Sequence, residues 1–527
     1  MTEDRWQHIP TSPTVPRHVS PTEDLSATDL FASPDVEPDD LDEKLRRSYF
    51  WLVNRAVISP YYDIEFDDDA TAPSFPIGDA GAVLTLPTSP SYSSAVLLPL
   101  LTFAVGGKCL LIGGPGRGKT TLAVLMGVLA GRRPDDVRRG IQQGQPQLTV
   151  SDLVGTPLPR DLVNAGSLAE ITIAWRGWLR RPVKIIDEYN RIPTKTQSAL
   201  LTMVAEGYVE SHDQMMYTAP DSGVESWFFT ANDDSGGGTF AVIAALRDRM
   251  DITVSALGFN SRFFGELVAR VEADENPETH VPQELVFPPT EQEELRAAIL
   301  AVPLPVDVRR RLEFFVGHFE FAQHGGRRFE YRTKDTVMTG GGSVSETIDA
   351  NTGADVDSDI GSQTLNGVSV RALKSLISYA KAMAYFRGEP EVGLADCASI
   401  LPFVLRGKLF PNHRHPRFDR AEDSGLATDQ LSWLADLFEQ SNREYDALGL
   451  ADRDPVGDLL SQLGEGIDDL TALEVTRRIT EIQIRIDEIS RTGKAYGRDF
   501  DDLLTLKYLH QRYTNYLRWL SDSGSAV

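Results

Sequence analysis

Short apolar runs alternate with longer stretches of mixed character through the middle of the chain. Runs with the length of buried strands lie near 109–112, 145–149, 183–187, 226–231 and 252–256. The stretches between them are long enough for helices, and the first of these, 121–130, contains no proline. Strands that alternate with helices pack as a parallel sheet covered on both faces. The pattern therefore predicts an α/β core that ends near residue 258.

The segment before this core differs from it in composition. Residues 1–40 are rich in Pro, Ser, Thr and Asp and contain few aromatic residues. Such a segment cannot bury enough surface to fold alone, so we predict a disordered acidic arm. Apolar residues at helical spacing over 41–57 predict a helix that opens the core domain, 41–258. Within that domain, polar residues separate the runs 208–210 and 215–218, which predicts a β-hairpin.

Two further domains are predicted after the core. Residues 259–420 are expected to form a mostly helical lid, interrupted at about 336–366 by a stretch rich in Gly, Ser, Thr and Asp that is typical of a mobile insertion. In the C-terminal module, 421–527, two apolar stripes repeat at spacings of three and four. They are Val475, Ile479, Ile482, Ile486 and Ile489, then Leu506, Leu509, Tyr513, Tyr516 and Leu520. The stripes predict an antiparallel helical hairpin, against which we expect Leu431–Leu448 to add a third helix.

A complete phosphate-binding loop directly follows the first predicted strand. Its residues are Gly113, Gly114, Pro115, Gly116, Arg117, Gly118, Lys119 and Thr120. The glycines allow the backbone to wrap a polyphosphate, so that N–H groups and a helix N-terminus face it. We expect Lys119 to reach the β- and γ-phosphates and the Thr120 hydroxyl to ligate Mg²⁺. Together with Thr121, these residues predict a site for ATP.

An acidic pair stands at the end of another apolar run. Asp187 closes the run 183–187, and Glu188 follows it. Asp187 is expected to hold Mg²⁺, directly or through water, and Glu188 to polarise a water molecule for in-line attack on the γ-phosphate. Adjacent carboxylates at a strand end can instead cap the following helix. Because the chain also has a full phosphate loop, we favour hydrolysis of ATP over binding alone.

The residues around this acidic pair resemble one family of ATPases. Asp187–Leu201 reads DEYNRIPTKTQSALL, which is similar to the motif DEINRAPPKTQSALL of MoxR-type AAA+ ATPases. Upstream, 147–156 is similar to the family's segment that leads into helix two, and 157–178 then corresponds to the helix-two insert that marks this branch. The resemblance covers about 95–260 well and 285–410 more loosely. It implies a P-loop αβα core followed by a helical lid.

The resemblance also implies roles for residues outside these motifs. Asn232, which follows the run 226–231, resembles sensor 1, whose amide helps to place the attacking water. Arg249 resembles the arginine finger, which enters the neighbouring subunit's site and neutralises charge in the transition state. Arg247 is close enough to compete for that role, and Arg371 resembles sensor 2 of the lid, facing the phosphates. For each arginine, a surface ion pair is the alternative.

Charge and composition limit the partners. The chain has 52 basic and 77 acidic residues, a net charge of −25, which argues against non-specific binding to nucleic acid. Such acidity is compatible with a positively charged protein partner, or simply with solubility. No run approaches the roughly 18–20 apolar residues that span a bilayer, and the N-terminus lacks an apolar signal core. Two cysteines argue against a disulfide framework, so a cytoplasmic location is expected.

These observations predict a Mg²⁺-dependent AAA+ ATPase similar to MoxR proteins. An arginine finger acts across a subunit interface, so we expect a ring, with a hexamer as the favoured form. The resemblance implies a chaperone-like remodeller or activator of a protein complex, with a von Willebrand factor A-domain protein as a candidate partner. We expect the C-terminal module to dock this client or to organise the ring. Two alternatives stay open: a nucleic-acid translocase or restriction-type motor, and a nucleotide-gated scaffold without turnover.

Overall fold

The computed structural model describes most of the chain after residue 39. The described residues are 40–68, 70–78, 82–160, 171–220, 223–232, 244–256, 258–319, 334, 360–420, 423–451, 454–491 and 498–522. Most of the predicted arm and of the predicted insertion lie outside them. The chain divides into two compact units: 1–242, 254–300 and 385–388 form the first, and 243–253, 301–384 and 389–527 form the second.

The strands belong to the first unit, except that the last one begins in the second. They are β1 (Ser74–Ile77), β2 (Ala82–Thr85), β3 (Lys108–Ile112), β4 (Gln142–Gln143), β5 (Gly155–Pro157), β6 (Ile173–Trp175), β7 (Val183–Asp187), β8 (Tyr208–Ser211), β9 (Gln214–Tyr217), β10 (Ser226–Ala231) and β11 (Ile252–Ser255). The main sheet has the order β11-β3-β10-β7-β4. Its pairs β3–β10, β10–β7 and β7–β4 are parallel, which confirms the predicted α/β core.

The α-helices fill the intervals between strands and most of the second unit. In chain order they are α1 (Leu41–Trp51), α2 (Ser94–Val105), α3 (Lys119–Leu129), α4 (Pro134–Arg139), α5 (Val150–Val154), α6 (Thr194–Glu206), α7 (Ala244–Asp248), α8 (Phe264–Glu272), α9 (Pro289–Ala301), α10 (Val306–Gly317), α11 (Val370–Arg387), α12 (Leu394–Leu405), α13 (Gln430–Ala447), α14 (Pro455–Gly464), α15 (Ala472–Ser490) and α16 (Arg498–Asp522). The predicted helix 41–57 is α1 followed by a π-helical turn, Leu52–Ala56.

Strand β10 lies at the centre of the main sheet, and all of its residues are buried. A strand with partners on both sides and helices packed on the sheet has no solvated face, so an apolar sequence such as Trp227-Phe228-Phe229 is expected there. Helices α2 and α3 both pack on it. Strands β3, β10 and β7 are neighbours and run parallel. Their C-terminal ends therefore lie side by side at one edge of the sheet.

The strand predicted at 145–149 is wrong. The edge strand is β4, which ends at Gln143, and Gly144 to Thr149 contain no strand. Pro146 has no N–H to donate to a ladder. Thr149 is instead the N-cap of α5: its Oγ1 accepts from the Asp152 N–H at 3.2 Å, and Asp152 Oδ2 accepts from the Thr149 N–H at 3.0 Å. This capping box commits the following residues to a helix.

The predicted β-hairpin is confirmed by the antiparallel pair β8–β9, in which Tyr208 faces Tyr217. Its turn residues, His212 and Asp213, have φ of 48° and 59°. Two consecutive residues with positive φ are typical of a type I′ turn, whose twist matches that of the flanking strands. In a second antiparallel pair, β5–β6, strand β6 lies within the segment 157–178 that resembles the helix-two insert, and β5 ends at the first residue of that segment.

The predicted C-terminal hairpin is also confirmed, because α15 and α16 share one apolar core. The helix that joins this core is α14, through Val456 and Leu459. The predicted third helix exists as α13, but it packs on α12 and α10 instead, and on α10 Phe438 contacts Phe315 and Tyr445 contacts Phe314. In the part of the chain that the structure describes, no helix is both long and apolar enough to cross a membrane.

Candidate functional site

The phosphate loop connects β3 to α3 in the first unit. Gly116 and Gly118 have φ of 73° and 72°, a backbone region that side chains disfavour. Gly113 approaches the backbone of Ala256 so closely that a Cβ atom there would lie 2.7 Å from the Ala256 carbonyl oxygen. The loop therefore requires glycine at these positions. Its backbone leads directly into the N-terminus of α3, where N–H groups have no partner within the helix.

Lys119 is the first residue of α3 and its side chain is turned back over the loop. Its Nζ donates to the carbonyl oxygens of Gly113 at 2.6 Å and Gly114 at 2.8 Å, and to Asn232 Oδ1 at 3.1 Å. The residue is 7% exposed. A buried ammonium group needs several acceptors to offset the loss of water, and the loop provides them. The charge is thereby held beside the cradle that a phosphate would enter.

Thr120, Asp187 and Thr230 form a connected set of oxygens. Thr120 Oγ1 donates to Asp187 Oδ1 at 3.0 Å, and Thr230 Oγ1 makes a second hydrogen bond to the same oxygen. Thr230 also accepts from the Glu188 N–H at 2.9 Å. Because β10 lies beside β7, this single hydroxyl group fixes the carboxylate of Asp187 and the backbone of Glu188 together.

Glu188 is held from two sides. Asn232 Nδ2 donates to its Oε1 at 2.6 Å, and Arg191 NH1 lies 3.0 Å from its Oε2. The backbone of Glu188 is left-handed, with φ 51° and ψ 46°. For a residue other than glycine this conformation costs of the order of 1 kcal/mol or more, and it is concentrated at functional sites. The turn directs the Glu188 carboxylate toward the end of β10.

Gly144 allows a close approach behind this turn. Its N–H donates to the Asp187 carbonyl oxygen at 2.7 Å. A Cβ atom at Gly144 would lie only 2.1 Å from the Glu188 carbonyl oxygen. Any side chain here would have to push back the backbone that carries both carboxylates.

Arg249 and Arg371 belong to the second unit. Arg371 NH1 lies 3.3 Å from Asp248 Oδ2, and Ser369 Oγ donates to the other oxygen of that carboxylate at 2.8 Å. Arg249 directly follows α7 and donates to the Ala245 carbonyl oxygen at 2.9 Å. Arg371 thus makes the kind of ion pair that was the alternative to sensor 2. The roles of arginine finger and sensor 2 stay predictions.

The structure therefore brings together Lys119, Thr120, Asp187, Glu188 and Asn232 of the predicted set. Sequence reasoning missed Thr230, Arg191 and Gly144. A signal existed for Thr230, which stands two residues before Asn232 and so lies on the same side of the strand. The contact of Arg191 follows from its spacing of three residues from Glu188, whereas the closeness of Gly144 depends on the pairing of β4 with β7.

The Thr120 hydroxyl and the Asp187 carboxylate fit Mg²⁺. This ion prefers oxygen ligands and usually takes only one or two from the protein, the rest coming from water and substrate phosphates. The two oxygens lie 3.0 Å apart at the N-terminus of α3. Among the described residues there is no cluster of three or more His, Cys, Asp or Glu side chains that could hold a metal ion.

Comparison with known proteins supports the broad class. Residues 359–428 match the family described as the AAA lid domain. A solved structure of a putative ATPase from Cytophaga hutchinsonii is similar, with 22% identity over 66% of this chain and 89% of that one and a TM-score of 0.45. No curated protein matches this chain. The lid match, together with the P-loop core, supports an AAA+ ATPase with an αβα core and a helical lid.

Proposed function

We propose that this protein is a Mg²⁺-dependent ATPase that works as a ring and remodels or activates a protein complex. The proposed hydrolysis is supported above all by the hydrogen bond of 2.6 Å between Asn232 and Glu188, which lies next to the hydrogen bond of 3.0 Å between Thr120 and Asp187. A carboxylate that could accept a proton, an amide that could orient water and two magnesium ligands lie together at the end of one phosphate loop.

ATP binding would use the loop as a cradle. Backbone N–H groups of 113–118 and the N-terminus of α3 would receive the phosphates. Lys119 would exchange one or more of its carbonyl partners for a phosphate oxygen, which carries a full negative charge and is the stronger acceptor. Thr120 and Asp187 would hold Mg²⁺, which neutralises charge on the β- and γ-phosphates when bound.

Hydrolysis would proceed by in-line attack of water on the γ-phosphorus. The new bond joins the water oxygen to phosphorus, the bond to the β–γ bridging oxygen breaks, and the proton of the water passes to a Glu188 oxygen. Asn232 would orient that water through its side chain. Glu188 would first have to release part of its contact with Asn232 or Arg191, because both of its oxygens are occupied in this structure.

The ring rests on the resemblance of Arg249 to an arginine finger. A residue that completes a neighbour's site makes a heterologous contact, and such contacts form a ring when the rotation between neighbouring subunits closes. We favour a hexamer. Arg371 would couple the phosphates to lid motion if it left Asp248. By resemblance to MoxR proteins, the work of the ring would be directed at a protein client, for which a von Willebrand factor A-domain protein is the candidate.

Measurement of ATP binding and hydrolysis tests this proposal. Lys119→Ala is expected to abolish hydrolysis and to weaken binding of a fluorescent ATP analogue by at least about tenfold, since it removes the phosphate-binding charge. Lys374→Ala, which removes an exposed lysine of α11, serves as the control. Equal turnover in wild-type protein and the Lys119→Ala variant, or failure of the wild type to bind ATP, would overturn the proposal.

A further inference from the structure

A cleft of about 710 Å³ lies beside β4, at the end of the main sheet. Three arginines line it: Arg139 from α4, and Arg176 and Arg181 from the segment before β7. Gln142 and Gln143 of the edge strand form another part of its wall. The cleft contains none of the residues proposed for ATP hydrolysis, and nothing in the comparisons assigns it a role.

The cleft is lined by three arginines against one carboxylate, that of Asp152, in a strongly negative chain. Residues 130–182 contain 8 basic and 5 acidic residues, although the whole chain carries a net charge of −25. Within the described residues, neither Arg176 nor Arg181 has a carboxylate oxygen within 4.0 Å. Burial lowers the pKa of Arg181, and the charges of Arg132 and Arg139 lower it further against the opposing effect of Asp136. Crowded guanidinium groups of this kind favour binding of an anion.

The lining favours a peptide over a nucleic acid as that anion. Glutamine amides and the edge of a sheet can pair with the backbone of an extended peptide. Recognition of single-stranded nucleic acid would need exposed aromatic rings for base stacking. The aromatic residue of the cleft is Trp178, which is 4% exposed and donates its Nε1–H to the Leu153 carbonyl oxygen.

The chain itself contains a segment with the required chemistry. Residues 21–39 read PTEDLSATDLFASPDVEPD, with six carboxylates and no basic residue. The segment directly precedes α1, which belongs to the same unit as the cleft. Fully extended, its 19 residues would span about 60 Å. This is more than three times the radius of gyration of about 18 Å expected for a compact unit of this size.

We propose that the acidic segment 21–39 docks in the cleft formed by Arg139, Arg176 and Arg181. The carboxylates of the segment pair with the guanidinium groups, and its backbone lies along β4. The end of β4 is bonded to the end of β7, because the N–H of Gly144, the residue after β4, donates to the Asp187 carbonyl oxygen at 2.7 Å. Only β4 would therefore separate the docked segment from the strand that carries Asp187, the candidate magnesium ligand. The proposal does not depend on ATP hydrolysis.

Fluorescence anisotropy of a dye in the segment tests the docking. Cys109 and Cys397 are both buried, so a dye attached to a Ser33→Cys variant of the full chain reports on this segment alone. The double variant Arg139→Glu, Arg176→Glu changes two exposed side chains. In the wild-type protein, docking should make the anisotropy higher at low salt than at high salt. The double variant is expected to lose at least half of this difference. Arg443→Glu, Arg518→Glu, two exposed arginines of other helices, makes the same change in net charge and should leave the signal unaltered.

A charge exchange completes the test. Adding Asp35→Lys and Glu37→Lys to the double cleft variant is expected to restore the anisotropy, because opposite charges again face each other. Equal low-salt anisotropy in wild-type protein and the cleft variant would overturn the proposal. So would binding of a labelled single-stranded DNA 20-mer that depends on Arg139 and Arg176, since the cleft would then serve nucleic acid.

Discussion

Asn232 bridges Lys119 and Glu188, the two charged side chains that face each other across the candidate site. Its Oδ1 accepts from Lys119 Nζ at 3.1 Å, and its Nδ2 donates to Glu188 Oε1 at 2.6 Å. A cation on one side and a carboxylate on the other allow only this orientation of the amide. One side chain therefore sets the positions of the phosphate-binding charge and of the expected proton acceptor.

Replacing Asn232 by alanine should separate binding from turnover. The variant keeps the phosphate loop, so we expect ATP affinity to stay within a factor of about three. Turnover should fall by a factor of about 100, which is at the low end of the contribution of positioned proton-transfer groups. Stopped-flow binding of an ATP analogue and steady-state phosphate release measure the two quantities. An unchanged turnover number would show that Asn232 does not place the water.

We expect the Thr230 hydroxyl to hold Asp187 and Glu188 in position through its two hydrogen bonds. Thr230→Val leaves the Glu188 N–H and an Asp187 oxygen each without one partner, which costs about 1–3 kcal/mol. We expect a lower unfolding midpoint and a higher Mg²⁺ concentration for half-maximal hydrolysis. Thr230→Ser keeps the hydroxyl group and should restore the Mg²⁺ dependence. If valine and serine behave alike, the hydroxyl contributes nothing to holding Asp187.

Gly144 should not tolerate even one methyl group. In Gly144→Ala the added carbon would meet the Glu188 carbonyl oxygen at 2.1 Å, so the strand end that carries Asp187 and Glu188 must shift. We expect hydrolysis to fall at least about tenfold, as displacements of about 1 Å do elsewhere. Gly177→Ala is the matched control, since a Cβ atom there meets nothing within 4 Å. Similar rates of ATP hydrolysis in Gly144→Ala and Gly177→Ala would contradict the expectation that the close approach at Gly144 positions Asp187 and Glu188.

Mixing two inactive variants tests the proposed ring and the role of Arg249. Lys119→Ala subunits keep Arg249, and Arg249→Ala subunits keep the phosphate loop. If each site joins the loop of one subunit to Arg249 of the next, random mixing of equal amounts leaves about one interface in four complete, as for any heterologous contact. Phosphate release should therefore reappear on mixing. Full activity of Arg249→Ala alone, or loss of activity in Arg247→Ala instead, would reassign the finger.

Local patterns in the sequence predicted the elements that depend on near neighbours. The strand β7 ending at Asp187, the hairpin β8–β9 and the pair α15–α16 follow from apolar spacing and turn residues alone. The edge strand β4 was misplaced because it has only two residues. So short a strand depends on its pairing with β7 more than on its own side chains.

The sequence could not predict the contacts between residues of different strands and helices. Thr230 reaches Asp187 because β10 lies beside β7. The close approach of Gly144 to Glu188 requires β4 on the other side of the same strand. The helix α13 was expected to pack against the C-terminal hairpin. Apolar spacing identifies a buried face but not its partner, and the partners proved to be α12 and the aromatic residues of α10.

The most direct test of the central claim is the rate of ATP hydrolysis by the Glu188→Gln variant, measured together with its ATP binding. The amide has the size of the carboxylate but cannot accept the proton of the attacking water. We predict that the variant binds ATP with Mg²⁺ as the wild type does and hydrolyses it at least about 100-fold more slowly. A Glu188→Gln variant that hydrolyses ATP at the wild-type rate would contradict the account.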